Sequence, residues 1–336
     1  MSDFTCYVVE KDQDQVKSGL SRRSLSDLPE GEVLIRVHYS SLNYKDGLAA
    51  TGKPGVARKF PHIPGIDAAG EVAESTSPEF QKGQKVLVTG YDLGAGRWGG
   101  WSEYARVPAE WVIPLPPGLS LVESMQLGTA GFTAALSVYA LRHHEITPQS
   151  GEIVVTGATG GVGCLAVSML GKLGYTVVAV TGKADRHDWL KELGAARVIG
   201  RGDVDVKGGN PLLKAAWGGA VDTVGGNVLA TLLRSTQIGG CVTACGLVRP
   251  RAGDNGVSVH PAGRHALGNR HRLVSPRTST RAVATDGRRV EAAAVSGGVE
   301  ASRTQRRGRA SAAHSRRTNR RPHRRPRERL TRQLVV

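Results

Sequence analysis

Gly157, Gly160 and Gly163 stand at the spacing G-x-x-G-x-x-G, between the apolar run "EIVVTG" and the amphipathic stretch "GVGCLAVSMLGKLG". Glycines at such a strand-to-helix turn permit a tight bend. They also let backbone N–H groups approach a pyrophosphate at the helix N-terminus. A glycine-rich turn alone is a weak pattern, and a βα turn that binds nothing is the plain alternative. The strand–turn–helix–strand context makes it a dinucleotide-site pattern. The following strand ends in Thr181-Gly182-Lys183, where an NAD site usually carries an acid that accepts the ribose 2′-hydroxyl. A hydroxyl, a backbone N–H and an ammonium suit a 2′-phosphate instead, so the pattern favours NADPH. The alternative for Lys183 is a solvated lysine at a helix start. Arg201, just after the third strand, either reaches the phosphate, stacks on the adenine or is an ordinary surface arginine.

The elements that must hold these residues follow from periodicity. "EVLIRVHYS" (32–40) alternates apolar and polar residues, as a half-buried strand does. Similar short runs, "AAGEVAE", "QKVLVTG", "WSEYARVP" and "WVIPLP", are separated by Gly/Pro turns and predict a β-barrel or sandwich over about residues 1–120. "LSLVESMQLGTAGFTAALSVYALRHH" predicts a long helix. From Glu152 onward strands alternate with helices: "EIVVTG", "TVVAVTG", "ARVIGR", "AVDTVGG" and "CVTACG" are strands, and "VLATLLRSTQIGG" is one of the intervening helices. That alternation predicts an α/β fold with a doubly wound parallel sheet, which binds ligand at the carboxyl ends of its strands.

Charge is distributed unevenly. Of 45 Lys and Arg residues, 22 lie in 249–336, and every one of those is arginine. That stretch has 5 acids and no Phe, Trp or Tyr, whereas residues 1–248 are near neutral. The four cysteines, Cys6, Cys164, Cys241 and Cys245, show no C-x-x-C spacing, and small apolar packing is the favoured role. No signal peptide or stretch of membrane-spanning length is evident, so a cytoplasmic enzyme is expected.

Four strings narrow the class: "SSLNYKDGLAATGK" (40–53), "FPHIPGIDAAGEV" (60–72), "WGGWSEYARVPAEWVIPLP" (98–116) and "LGTAGFTAA" (127–135). Over residues 5–248 the chain resembles the zinc-independent acrylyl-CoA reductase and quinone oxidoreductase branch of the medium-chain dehydrogenase/reductase superfamily. The resemblance implies a GroES-like catalytic β-barrel domain over 1–125 and an NADP-binding Rossmann domain over 126–248. Zinc-dependent relatives carry an early Cys, a Gly-His-Glu segment and a four-cysteine lobe. Here Asn43-Tyr44 and Gly65-Ile66-Asp67 occupy the first two regions, the lobe is missing, and no metal ligands are expected.

The implied reaction is reduction of an activated C=C bond. NADPH delivers hydride to the β-carbon of a short unsaturated acyl-CoA, and the enolate is stabilised and protonated. A quinone or enone is the alternative substrate. The resemblance places Tyr44 beside the cofactor and makes Asn43 a hydrogen-bond donor to nicotinamide or substrate carbonyl, with Lys45 and Asp46 orienting the loop or supplying the proton. The expected catalytic set is Asn43, Tyr44 and Asp46. The expected cofactor contacts are Tyr44, Thr159, Gly160, Gly161, Val162, Thr181, Gly182, Lys183, Arg201 and Leu247. A polar turn with a structural tyrosine is the plain alternative for "NYKDG". Arg58 and Lys59 are possible contacts for CoA phosphates, and His62, between Pro61 and Pro64, is read as a structural imidazole. Gly128-Thr129-Ala130-Gly131, at the helix linking the domains, allows close approach to nicotinamide or serves helix packing. The family forms homodimers through its outermost strands.

The arginine-rich tail admits two readings. It binds nucleic acid or acidic surfaces, or it is translated out of frame. Lys and Arg stand at 12 to 11 before the seam and 0 to 22 after it; out-of-frame CGN codons yield arginine alone. Aromatics, useful for stacking on bases, vanish at the same place. Shifted by one base, suitable synonymous codons for Gly253–His271 spell ATTVFPFILRGVTLLGID, an apolar strand-like run that resembles what the family places after "ACGL". A frameshift is therefore the favoured reading, and no specific nucleic-acid partner is expected. The expected consequences are a sheet that loses its C-terminal strands and leaves an edge unpaired, a disordered tail, and weak or no activity.

Overall fold

The computed structural model describes residues 3–13, 15–53, 56–208, 211–246 and the backbone of 265–268. Two compact units part between Thr129 and Ala130. The first opens on an antiparallel hairpin, β1 (Asp3–Asp12) and β2 (Gln15–Ser24). It continues with β3 (Val33–Tyr39), a short helix α1 (Tyr44–Ala50), β4 (Asp67–Ser75), β5 (Lys85–Thr89), β6 (Tyr104–Val107) and β7 (Ile113–Pro114). These five strands form an antiparallel sheet in the order β6-β3-β4-β5-β7.

Period-two alternation sorts their side chains into separate cores. Val33 and Ile35 of β3 pack with Ala68, Val72, Val86, Val88 and Val107. Leu34, on the opposite face, packs with Phe4, Cys6, Val8 and Ile63. The five strands match the runs expected from the sequence. Helix α1 was not anticipated, because its seven residues include Gly47 and show no full turn of apolar periodicity.

Helix α2 (Leu121–His143) crosses the boundary between the units and is interrupted at Gly128, whose φ of 46° and ψ of −153° lie outside helical values. The second unit then alternates β8 (Ile153–Val155), α3 (Gly161–Lys172), β9 (Val177–Val180), α4 (His187–Leu193), β10 (Arg197–Ile199), β11 (Trp217–Asp222), α5 (Gly226–Ser235), β12 (Thr236–Ala244) and β13 (His265–Gly268). The sheet is parallel, in the order β10-β9-β8-β11-β12-β13. The order in which successive strands are added reverses between β8 and β11, the switch point where such sheets take ligand.

Both faces of this sheet are covered, so its strands are apolar at successive positions. Val154, Val178, Ala220 and Val242 meet Leu229 and Leu232 of α5. Ile153, Val155, Val177, Ala179 and Val221 meet Ala166, Val167 and Leu170 of α3 and Val138 and Leu141 of α2. One expectation is corrected. The helix read through "STQIGG" ends at Ser235, because β-branched Thr236 opens β12 and Gly239 takes a positive φ that no helix continues. Beside β12, His265–Gly268 pair in register with Cys241–Ala244, and the expected loss of C-terminal strands falls on residues outside the described ones. The expectation of a disordered tail falls on residues outside the described ones. Among the described residues no helix is long and apolar enough to cross a membrane.

The α3 face gives a direct test. Leu170 is fully buried in the sheet core and Leu173, three residues on, is 44% exposed. Leu170→Ala is expected to lower unfolding free energy by about 2–5 kcal/mol, whereas Leu173→Ala is expected to change it by less than about 0.5 kcal/mol, both read by urea titration.

Candidate active site

The glycine turn leaves β8 at Thr156 and enters α3 at Gly161, on the switch point of the sheet. Gly157 has φ +57°, a left-handed value that a side chain would strain. Its carbonyl accepts from Gly160 N–H at 2.8 Å, and a Cβ on Gly163 would run into that same carbonyl. The first turn of α3, with Gly160 at its N-cap, carries no acidic residue. Thr159 Oγ1 lies 3.4 Å from Thr181 Oγ1, which joins the turn to the end of β9.

At that end the buried Thr181 hydroxyl accepts from Lys183 N–H at 3.1 Å. Arg201 folds over Gly182: a Cβ there would sit 3.0 Å from its Nε and 3.1 Å from its Cζ. The Lys183 and Arg201 side chains are exposed, and neither is in an ion pair with a described residue. Two uncommitted cations and a hydroxyl around one side-chain-free residue fit a phosphate dianion. These positions therefore fit the dinucleotide expected from the sequence. Leu247 lies outside the described residues.

In the first unit, Asn43 is the N-cap of α1 and Asp46 its third residue. Asp46 is completely buried. Its Oδ2 accepts from Asn43 N–H at 2.7 Å and Asn43 Nδ2 at 3.2 Å; its Oδ1 accepts from Gly65 N–H at 3.2 Å and Ile66 N–H at 2.9 Å. A second buried carboxylate, Asp67, opens β4. It accepts from Ser41 Oγ, from Asn43 Nδ2 at 3.1 Å, and from Thr129 N–H and Oγ1 at 2.9 and 2.6 Å. The break at Gly128 brings Thr129 onto Asp67, and a Cβ on Gly128 would sit 2.7 Å from Asp67 Oδ2. Burial lifts the Asp46 carboxyl to about 6, against the pull of the Asn43 and Ile66 donors and with the Asp67 charge adding to the rise.

In this structure the Nδ2 group of Asn43 donates to Ser41 Oγ at 2.7 Å and to both carboxylates. Asp46 is sealed from solvent with both oxygens accepting N–H groups, an arrangement that fits the loop-orienting role expected of it. Tyr44 is the converse. It is 81% exposed and its hydroxyl has no partner among the described residues.

Sequence reasoning missed Ser41, read Thr129 only as part of the small-residue segment 128–131, and assigned Asp67 no role. An acid beginning the otherwise apolar run "DAA" was the available signal. His62 is structural: it is buried, its Nε2 lies 2.9 Å from Gly94 O, and its backbone pairs with Val9. Cys241 belongs to the sheet core, and burial pushes its thiol and that of Cys245 to about 11. Arg58 and Lys59 are exposed. Among the described residues no group of three or more His, Cys, Asp or Glu is arranged to hold a metal.

A doubly wound parallel sheet with this turn at its switch point, preceded by a small antiparallel unit, defines a dinucleotide-dependent oxidoreductase of two units. The alcohol dehydrogenase GroES-like domain model matches residues 29–117, and the zinc-binding dehydrogenase model matches 161–299. The acrylyl-CoA reductase AcuI of Ruegeria pomeroyi is 46% identical over 246 residues, 73% of this chain and 74% of that protein. The structure of Escherichia coli K-12 YhdH with bound NADPH superposes with a TM-score of 0.77 at 43% identity, covering 88% of this chain and 87% of that one. Bacillus subtilis yhfP with NAD bound superposes with a TM-score of 0.76 at 42% identity, covering 91% and 97%. The chain belongs to the zinc-independent acrylyl-CoA reductase and quinone oxidoreductase branch of the medium-chain dehydrogenase/reductase family.

The buried Asp46 carboxyl has a measurable consequence. Its pKa is raised from 3.8 to about 6 in the fold, so between those values the native state holds the extra proton. Stability is then greatest below the lower value and falls as pH rises through the upper one. Compared with Asp46→Asn, the native chain is expected to lose about 3 kcal/mol of relative stability between about pH 4 and pH 7. Urea unfolding of both at each pH checks the slope, and parallel profiles would contradict it.

Proposed function

We propose that the chain reduces the C=C bond of a short α,β-unsaturated acyl thioester of the acrylyl-CoA type, with NADPH as hydride donor. The observation that carries this is the inward commitment of the polar groups around Tyr44. Ser41, Asn43, Asp46, Asp67 and Thr129 hydrogen-bond to one another, which leaves the Tyr44 phenol as the exposed neutral donor of the loop. A neutral donor suits the oxyanion of an enolate, whose negative charge appears only as the reaction proceeds.

When bound, NADPH supplies the hydride that goes to the β-carbon. The Tyr44 O–H donates to the thioester oxygen as charge builds there, and its exposure lets it exchange with the solvent protons that complete the α-carbon. Thr181, Lys183 and Arg201 hold the 2′-phosphate and set the preference for NADPH. The same donor serves a quinone carbonyl, so NADPH oxidation is to be compared with acrylyl-CoA and with a simple quinone. Turnover with the thioester is expected, and turnover with the quinone alone would replace the substrate assignment.

We further propose that the coding frame is displaced by one base beyond about Leu247. The shifted frame reads VTLLGI over codons 264–269, and residues 265–268 are the ones that form the sixth strand of the sheet. The match to AcuI spans 246 residues, about the length of chain before the arginine-rich segment, although the zinc-binding dehydrogenase model runs on to residue 299. Sequencing the gene across codons 245–255, and comparing turnover of the chain with that of a frame-restored one, tests this. The restored chain is expected to be the more active, and an intact frame with equal turnover would overturn the proposal.

Two substitutions, made in whichever of the two chains turns over, separate the roles. Tyr44→Phe is expected to lower kcat about 10- to 1,000-fold without changing Tm, because the ring is exposed. Arg201→Ala is expected to raise KM for NADPH about tenfold or more while leaving KM for NADH nearly unchanged, read from steady-state kinetics with each cofactor.

A further inference from the structure

Asp222 ends β11 as the one acid in a strand whose six residues are all buried, and neither catalysis nor phosphate binding uses it. Its carboxylate accepts three hydrogen bonds: Thr156 Oγ1 at 2.6 Å and Val224 N–H at 3.2 Å on Oδ1, and Gly225 N–H at 2.8 Å on Oδ2. Buried carboxylates persist only when such donors replace water.

The Thr156 hydroxyl is used twice. It donates to Asp222 and accepts from Thr223 N–H at 3.0 Å. Thr223 Oγ1 returns a bond to the Thr156 carbonyl at 2.9 Å. Thr156 is thereby clasped by the turn after β11, one residue before the left-handed Gly157. A Cβ on Gly157 would collide with Thr223 Oγ1. The clasp reaches the next strand too. Cys245 N–H donates to the Asp222 carbonyl at 2.9 Å, and a Cβ on Gly246 would overlap the Thr223–Val224 peptide. Three strand ends, those of β8, β11 and β12, thus meet on one residue at the ligand-binding edge of the sheet: β8 on the Asp222 carboxylate and β12 on its backbone carbonyl.

We propose that Asp222 is a positioning residue for dinucleotide binding: through the Thr156 hydroxyl it presets the start of the Gly157–Gly160 turn. The proposal rests on the cofactor assignment made above. Because Asp222 is completely buried and both its oxygens are bonded to protein donors, its effect runs through the turn, on cofactor affinity and not on the chemical step. A loosened turn must be ordered when the cofactor binds, and that ordering weakens affinity.

The test uses Thr156→Val, which keeps the shape and removes the hydroxyl, and Thr156→Ser, which keeps the hydroxyl. Both are made in the full chain. NADPH affinity is measured by fluorescence titration, and amide hydrogen exchange over residues 157–161 is measured without cofactor. Thr156→Val is expected to raise Kd for NADPH roughly tenfold or more and to speed exchange in the turn, while Thr156→Ser stays near wild type in both. Where turnover is measurable, KM for NADPH is expected to rise with kcat nearly unchanged.

Wild-type exchange and affinity in Thr156→Val would overturn the proposal, as would a fall in kcat at unchanged Kd. If Thr156→Val does not fold, loss of affinity or faster turn exchange in a folded Thr156→Ser would also overturn it, since the hydroxyl is then present and the turn should be preset. A wild-type chain that fails to bind NADPH contradicts the cofactor assignment, and the exchange comparison still decides whether Thr156 and Asp222 hold the turn.

Discussion

A carboxylate moved out of water must have its lone pairs met by donors, or it gives up its charge. Three aspartates of this chain, Asp46, Asp67 and Asp222, are completely buried, and each solves the problem by collecting N–H and O–H groups from several segments. The donors arrive from positions far apart in sequence, so each carboxylate fixes the relative placement of loops that strand pairing does not hold. Asp46 ties the start of α1 to the Gly65–Ile66 turn. Asp67 ties the Ser41–Asn43 loop to the broken helix at Gly128–Thr129. Asp222 ties together the strand ends around the glycine turn. Without these clasps both sets of functional residues would sit on unconstrained loops.

The parts of this arrangement that were legible in the sequence are those encoded by local pattern. Alternation in "EVLIRVHYS" and the unbroken apolar strands from Glu152 onward report which faces are buried, and that is enough for the strands and for the parallel class of the second sheet, though not for the strand orders. The glycine spacing and Thr181-Gly182-Lys183 were legible because each is contiguous and sits at a strand end. The Asp67 hub was not, because its partners lie 24 to 62 residues away and none carries a local motif. For Asn43 and Asp46 the residue types were legible and their hydrogen bonds were not, since a sequence shows that an amide is present and not whether its hydrogens are already in use. One signal would have served for two of the aspartates: an acid at the end of an apolar run, as in "WGGAVD" and "DAA". Such an acid is too costly to bury unless donors converge on it.

Bulk charge is a poor guide to this protein for a related reason. A formal net charge of +16 suggests a polyanion partner, but residues 1–248 contribute almost none of it. The described units carry their cations singly or in exposed pairs such as Arg197 with Glu152. The two uncommitted cations at the end of β9 matter more than the 22 arginines of the tail, because they flank a residue with no side chain and a buried hydroxyl. Recognition follows from where charge is held, and on the proposed reading the charge held beside Gly182 takes a single phosphate.

The same reasoning bears on the chemistry. Around Tyr44 the carboxylates are saturated by donors, so neither is free to act as a strong base on a substrate. The Asn43 amide hydrogens are held inward by those carboxylates. What the loop presents outward is a phenol beside an exposed lysine, Lys45. A donor of this kind does little for an unactivated alcohol, whose oxidation requires removal of a proton from a weak acid. It is well suited to a conjugated carbonyl, where electron density arriving at the β-carbon is delivered by resonance onto an oxygen that a neutral O–H can meet. In the proposed reaction the buried aspartates act through what they withhold: by consuming the other polar groups of the loop, they leave a neutral donor suited to an activated alkene.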